Sequence, residues 1–287
     1  MSDVAALLSI LDLEPLEINL FRGRSGTPGG GRVFGGQVVA QALVAAMRTV
    51  EPSRVAHSLH AYFLLGGDPT VPIIYDVDRI RDGRSFTTRR VVAIQHGEAI
   101  FSMSASFQVV EEGLAHQSEM PRVPQPEDLP GDEVWREKLL QRFPGASKRD
   151  WMALRPLEVK PATAEPLYLV SDPATQANFW VRTRSPLPDD PRIHQAVLAY
   201  ASDLSLLQAS LIPHRKSVFD RDLQVASLDH ALWFHRPFRA DDWLLYHQDS
   251  PAAAGARGFS RGQVFARDGT LVASAVQEGL IRTVTPR

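Results

Sequence analysis

The 287-residue chain contains no cysteine, which removes disulfides, thiolate metal sites and a cysteine nucleophile together. It has no long basic run and a formal net charge of -2, so a nucleic-acid partner held by phosphate neutralisation is not expected. Its apolar runs are short and broken by charge, which argues against a membrane span. The opening MSDVAALLSILDLEPLE lacks a basic n-region and carries Asp3, and Thr283 to Arg287 form no peroxisomal or retention signal. A soluble cytoplasmic protein is the expectation. What the chain does have is apolar material: 44% hydrophobic against 22% charged residues, enough for a real core. Its length suits one large domain or two moderate ones.

Periodicity predicts a short amphipathic helix over 4–12 and a strand over 16–22. A Gly-rich loop from Gly23 to Gly31 follows. Gly35-Gly36 opens a helix over 37–50 that is apolar nearly all round and is therefore expected inside. Strand-like stretches follow at 57–65, 72–81, 85–96 and 99–110, with turn signals at Asp82-Gly83 and His96-Gly97. Residues 111–154 change character, with prolines at 121, 124, 126 and 130 among acidic residues, and read as a linker closed by a helical fragment over 141–149.

From 155 the pattern restarts: strands at 157–160 and 179–183, then a helix. Asp190 is its N-cap and Pro191 its first residue, and the helix is expected to run to about Gln208. Strands at 223–235, 242–249, 257–267 and 271–282 complete the series. Residues match as well as order. His60-Ala61 corresponds to His230-Ala231, Tyr75 to Tyr246 and Gly97 to Gly269. An internal duplication is the reading: an α+β chain with repeats at 1–110 and 155–287, each a buried helix wrapped by antiparallel strands. Pairing the two sheets would remove an exposed edge.

Several apparent motifs carry nothing. Gly258-Phe-Ser-Arg-Gly262 fits G-x-S-x-G, but strand and turn follow it where a helix is required. Residues 23–36 fit neither a P-loop nor G-x-G-x-x-G. His57/His60 and His230/His235 are odd-numbered spacings on strands, so neither pair chelates, and no metal is expected. Asp229 and His230 face opposite sides, which breaks up a Ser227–Asp229–His230 triad. Asp203 is a stronger candidate. Its helical neighbours are Ala199, Tyr200, Leu206 and Leu207, and a carboxylate on such a face is costly unless paired or functional. Periodicity leaves function and a helix-flank Asp equally open. Gln277 and Ser227 are lone polar residues in small-residue strands. Together with Asp203 they could hold one water. Gly35 and Gly36 offer helix-start N–H groups to a negative group of the substrate.

These positions fall in segments that resemble the acyl-CoA thioesterase II (TesB-type) family. The segments are 32–39 (RVFGGQVV), 57–63 (HSLHAYF), 81–86 (RDGRSF), 200–204 (YASDL), 227–238 (SLDHALWFHRPF), 256–259 (ARGF) and 276–279 (VQEG). The resemblance implies a double hot-dog fold, an acyl-CoA substrate and no cofactor. It also implies a water-orienting Asp, Thr and Gln, which fall on Asp203, Ser227 and Gln277. Serine keeps the hydroxyl but loses the β-branch that stiffens χ1. A histidine at the His57 position is shared, which keeps His57 as a substrate-site candidate. A homo-oligomer, dimer or higher, is expected of such sheets. The rivals are an enoyl-CoA hydratase, whose Asp–His pair His194 and Asp203 do not reproduce, and a non-catalytic acyl-CoA-binding protein. The helix over 37–50 holds no Asp or Glu, so the first repeat lacks this carboxylate.

Overall fold

The computed structural model describes residues 3–25, 31–143, 156–163 and 176–284. Its helices are α1 (Asp3–Leu11), α2 (Gly35–Met47), α3 (Asp132–Arg142), α4 (Pro191–Ser202) and α5 (Leu206–Ala209). The first-repeat strands are β1 (Glu14–Glu17), β2 (Leu20–Gly23), β3 (Arg54–Phe63), β4 (Ile73–Asp82), β5 (Phe86–Gln95) and β6 (Glu98–Val109). The second repeat supplies β7 (Leu157–Pro161), β8 (Gln176–Thr183), β9 (Leu223–Ser227), β10 (Asp229–Phe234), β11 (Leu244–Ala254), β12 (Arg257–Ala266) and β13 (Leu271–Thr283).

All strand pairs are antiparallel, in the order β1-β2-β4-β5-β6-β3-β10-β13-β12-β11-β8-β7, with β9 also on β13. The order is a palindrome: each first-repeat strand has its counterpart at the mirrored position. The seam is the β3–β10 pair, where His230 faces Ala61 and Ala231 faces His60. The two matched dipeptides therefore pair with each other across a pseudo-dyad. Two sheet edges are covered at that seam.

The sheet wraps α2 and α4, which pack on each other in one continuous core. Val39, Ala40, Ala42, Leu43, Ala45 and Ala46 are all fully buried, as the all-apolar surface of α2 requires. Burying each valine or leucine there contributes about 1.5–3 kcal/mol. The two polar exceptions are satisfied. Gln37 Nε2 donates to the Arg24 carbonyl at 3.1 Å; Gln41 accepts from Tyr75 Oη on Oε1 at 2.6 Å and donates from Nε2 to the carbonyls of Ile10 and Arg24. Tyr246, the counterpart of Tyr75, donates to the Ser202 carbonyl at 3.0 Å.

Four elements differ from the sequence reading. The strand expected over 16–22 is the β1–β2 hairpin, turning at Ile18-Asn19. The strand expected over 223–235 bends at Leu228 into β9 and β10, both on β13. Helix α3 starts at Asp132, before the fragment placed at 141–149, whose residues 144–149 lie outside the described residues. The helix expected to reach Gln208 ends at Ser202. The Ser202 hydroxyl lies 2.9 Å from the Ala199 carbonyl, and a Leu204 N–H to Ala201 carbonyl bond closes the turn. Serines compete with the helix ladder in this way.

The proline-rich stretch is also more than a tether. Gln117 bonds Gly269 and Leu271, and Pro124 accepts from the Trp180 indole. Met120, Val123 and Leu129 pack on a second cluster around Trp180, Trp243 and Phe265, on the sheet face turned away from the helices. The stretch therefore roofs apolar area that water would otherwise meet. Pro191–His214 has the length and apolar composition of a membrane span, but it is mostly buried in this core and broken at Asp203.

Candidate active site

Helix α4 begins on Asp190, whose carboxylate accepts the Arg192 N–H at 2.9 Å, with Pro191 as its first residue. The helix runs to Ser202, and its C-cap is Asp203. Helix α2 has the opposite need. Its N-cap residue is Phe34, which offers no side-chain acceptor. The missing acceptor comes from the other repeat: the Gly36 N–H bonds the Asp203 carboxylate. Asp203 thus does for α2 what Asp190 does for α4, each accepting from the second helical residue, the usual target of a cap.

Two consecutive glycines make this approach possible. A Cβ on Gly35 would lie 2.6 Å from Asp203 Oδ2 and 2.9 Å from the Phe63 ring. A Cβ on Gly36 would overlap the Tyr200 carbonyl oxygen and the Phe34 ring. No side chain fits between the start of α2 and the end of α4. The meeting also sets the electrostatics, since the positive end of α2 faces the carboxylate at the negative end of α4.

Strands β9 and β13 complete the site. Ser227 ends β9 just before the Leu228 bend, and its hydroxyl lies 3.4 Å from Asp203 Oδ1. Gln277 points inward from β13, donates from Nε2 to Ser227 Oγ at 2.7 Å, and also bonds Asp203. Asp203 is 9% exposed and Gln277 1%. Burial lifts the Asp203 carboxyl from the usual carboxylate range to about 7, against the opposing pull of hydrogen bonds from Gln277, Gly36 and Ser227. A carboxyl tuned to that value is half ionised near neutrality and is a far better base than an exposed aspartate.

Asp203, Ser227, Gln277, Gly35 and Gly36 therefore come together from positions up to 242 residues apart (277 − 35). The Gly36 N–H is committed to the carboxylate, so a substrate anion there would compete with Asp203 for it. His57 stays apart. The pseudo-dyad carries Ser227 onto His57, each three residues before the paired histidine. With Tyr62 opposite Asp229, His57 and Ser227 are seven residues of strand apart, roughly 23 Å. His57 bonds Ser106 at 2.8 Å and meets the Phe86 ring edge-on, while the buried Arg89 guanidinium, bonded to Thr49 and Asp82, fills the first repeat nearby.

Sequence reasoning passed over two residues. His230, set aside as an ordinary histidine, is 1% exposed and bonds Gln277 Oε1 through Nδ1 at 2.9 Å. Ser202, fully buried, meets His230 Nε2 at 2.8 Å. The signal for His230 was its parity: it shares the inward face of β10 with Leu232 and Phe234.

The chain matches two protein families, acyl-CoA thioesterase over residues 152–280 and the acyl-CoA thioesterase N-terminal domain over 24–108. It is 44% identical over 284 residues to acyl-CoA thioesterase 2 of Haemophilus influenzae, covering 98% of this chain and 99% of that one. The crystal structure of the acyl-CoA thioesterase II TesB2 from Mycobacterium marinum superposes with a TM-score of 0.81 at 46% identity, over 98% of this chain and 100% of that one. A hot-dog-fold protein of Alicyclobacillus acidocaldarius, 20% identical, superposes at 0.78 over 98% and 99% of the two chains and shows the fold alone. The palindromic sheet around two buried helices is accordingly a double hot-dog, and the chain belongs to the acyl-CoA thioesterase family.

Proposed function

We propose that this enzyme hydrolyses acyl-CoA to free acid and CoA by activating water with Asp203. The observation that carries this is a buried carboxyl in hydrogen-bond contact with one hydroxyl and one amide, an environment that pushes its pKa up to about 7. Ionised Asp203 takes a proton from a water held by Ser227 and Gln277. The water oxygen bonds to the thioester carbon, and the carbonyl electrons move to its oxygen. When they return, the C–S bond breaks and the thiolate leaves, collecting the proton from Asp203. Against the hydratase reading, His194 bonds the Ala240 N–H and approaches Asp241 rather than Asp203.

The same reading divides the chain into repeats at 1–110 and 155–287, with 111–154 between them. It places the enzyme in the cytoplasm as a homo-oligomer. Support for association is apolar surface at the end of β3, where Tyr62, Leu64 and Leu65 are all at least half exposed. Light scattering and cell fractionation check these two points.

The rival chemistry is direct attack by Asp203 to give an anhydride. Single-turnover hydrolysis in heavy-oxygen water separates the two. Attack by water puts the label in the released acid and none in the protein. Label recovered in the peptide containing Asp203 would rule in the anhydride and overturn the base role.

A further inference from the structure

We propose that His230 is a positioning residue for this hydrolysis: its Nδ1–H fixes the amide of Gln277 so that the Ser227 hydroxyl hydrogen is kept for Asp203. The inference rests on the reading of Asp203 as the base.

The hydrogens of this buried chain of groups are assigned in order, from Asp203 outward. An ionised carboxylate only accepts, so Ser227, 3.4 Å from Asp203 Oδ1, donates to it. Having given its only hydrogen, Ser227 Oγ must accept, and the group 2.7 Å away is Gln277 Nε2. The other end of that amide, Oε1, then faces His230 Nδ1 at 2.9 Å and needs a donor. Burial pushes the His230 pKa down to about 4, so the imidazole is neutral and has one N–H to give. With Nδ1 protonated, Nε2 is a bare acceptor, and the Ser202 hydroxyl, 2.8 Å from Nε2 and 2.9 Å from the Ala199 carbonyl, turns its single hydrogen to the ring. Ser202 adjoins Asp203 at the end of α4, so the network closes on the base it serves. Tyr200 and Tyr246, the other titratable groups on this part of the core, are pushed up by burial and stay neutral.

A flipped Gln277 would break the sequence. Its oxygen would face Ser227, which would turn its hydrogen away from Asp203. The carboxylate would then lose donors that hold its pKa down. His230 prevents this from directly across the strand pair: with Ala231 opposite Val276, it lies opposite Gln277. No other donor to Gln277 Oε1 is present among the described residues.

The test compares His230→Phe, which keeps a ring without donors, with His230→Asn, which keeps a donor near the Nδ1 position. Expected for His230→Phe is a kcat lower by about 10–100-fold with KM within about twofold. The acid limb of its pH profile moves to higher pH, which a merely structural role would not cause. His230→Asn recovers most of the loss. In a Gln277→Leu background, His230→Phe causes no further loss, because it acts through that amide. A folded His230→Phe with normal kcat and an unmoved acid limb overturns the proposal. So does an effect that multiplies with Gln277→Leu. If His230→Phe does not fold, nitrogen NMR of the wild-type imidazole decides: Nδ1–H is expected, and Nε2–H overturns it. Asp203→Asn is assayed alongside. Full turnover there sinks the base reading itself, whereas an inactive Asp203→Asn with a normal His230→Phe sinks only this inference.

Discussion

Gly36→Ala will lower both stability and activity, although alanine is the better helix former. At an exposed helical position the change would gain up to about 1 kcal/mol. Here the new methyl meets the Tyr200 carbonyl and the Phe34 ring, and Tyr200 is held in α4. Relief requires α2 to move off α4, and overpacking of this kind costs about 1–3 kcal/mol. The same movement takes the Gly36 N–H away from the Asp203 carboxylate. Losing that donor raises the carboxyl pKa further and displaces the base, and an error of about 1 Å at a reacting group costs on the order of 100-fold. Thermal unfolding and a thiol-release assay check both effects. Unchanged Tm and kcat/KM would mean that the helices do not meet as closely as described.

Asp203→Asn will move the two properties in opposite directions. Turnover should fall by about 10³-fold, within the range that general-base removal covers. Stability should rise at pH 8. The folded-state carboxyl titrates near 7 and its ordinary value is 3.8. Between those values the folded chain holds a proton that the unfolded chain has released. Stability from this group is therefore highest below about pH 4, falls as pH rises to about 7, and is flat beyond. The full difference corresponds to about 4 kcal/mol by linkage. Asparagine keeps the shape, can still accept the Gly36 N–H as a helix cap, and carries no charge to bury. The expected gain at pH 8 is on the order of 2–4 kcal/mol, read as a Tm several degrees higher, and it vanishes toward pH 4. Asp203→Ala should gain less, since it also loses the cap, worth about 1 kcal/mol. A Tm for Asp203→Asn at or below wild type at pH 8 would contradict the buried charge.

The repeat was legible because its signals are local. Apolar periodicity marked α2, alternation and Asp-Gly or His-Gly turns marked the strands, and His60-Ala61 with His230-Ala231 marked the duplication. The break at Asp203 was hidden, since Leu206 and Leu207 continue the apolar helical face while tertiary partners stop the helix. The covering role of 111–125 was hidden for the same reason: its partners, Gly269, Leu271 and Trp180, are distant in sequence. Within the site, Asp203 could be singled out by its apolar neighbours and Ser227 and Gln277 as lone polar residues able to hold a water with it, but only the resemblance favoured that grouping over ordinary core hydrogen bonding. The use of Gly36 as its donor is a contact between repeats, 167 residues apart (203 − 36), and no periodicity reports it. His57 shows the converse. It lies within the range matched by the family's N-terminal domain, yet the pseudo-dyad sends it to the opposite end of the seam.

If Asp203 is the base, hydrolysis must follow the ionisation of a buried carboxyl that titrates near neutrality. The most direct measurement is the pH dependence of kcat/KM for acyl-CoA hydrolysis from pH 5 to 9. The base must be ionised, so the rate should rise with pH and reach half its plateau near pH 7, the value to which burial raises this carboxyl. A rate already at its plateau at pH 5, as an ordinary aspartate would give, would contradict the account.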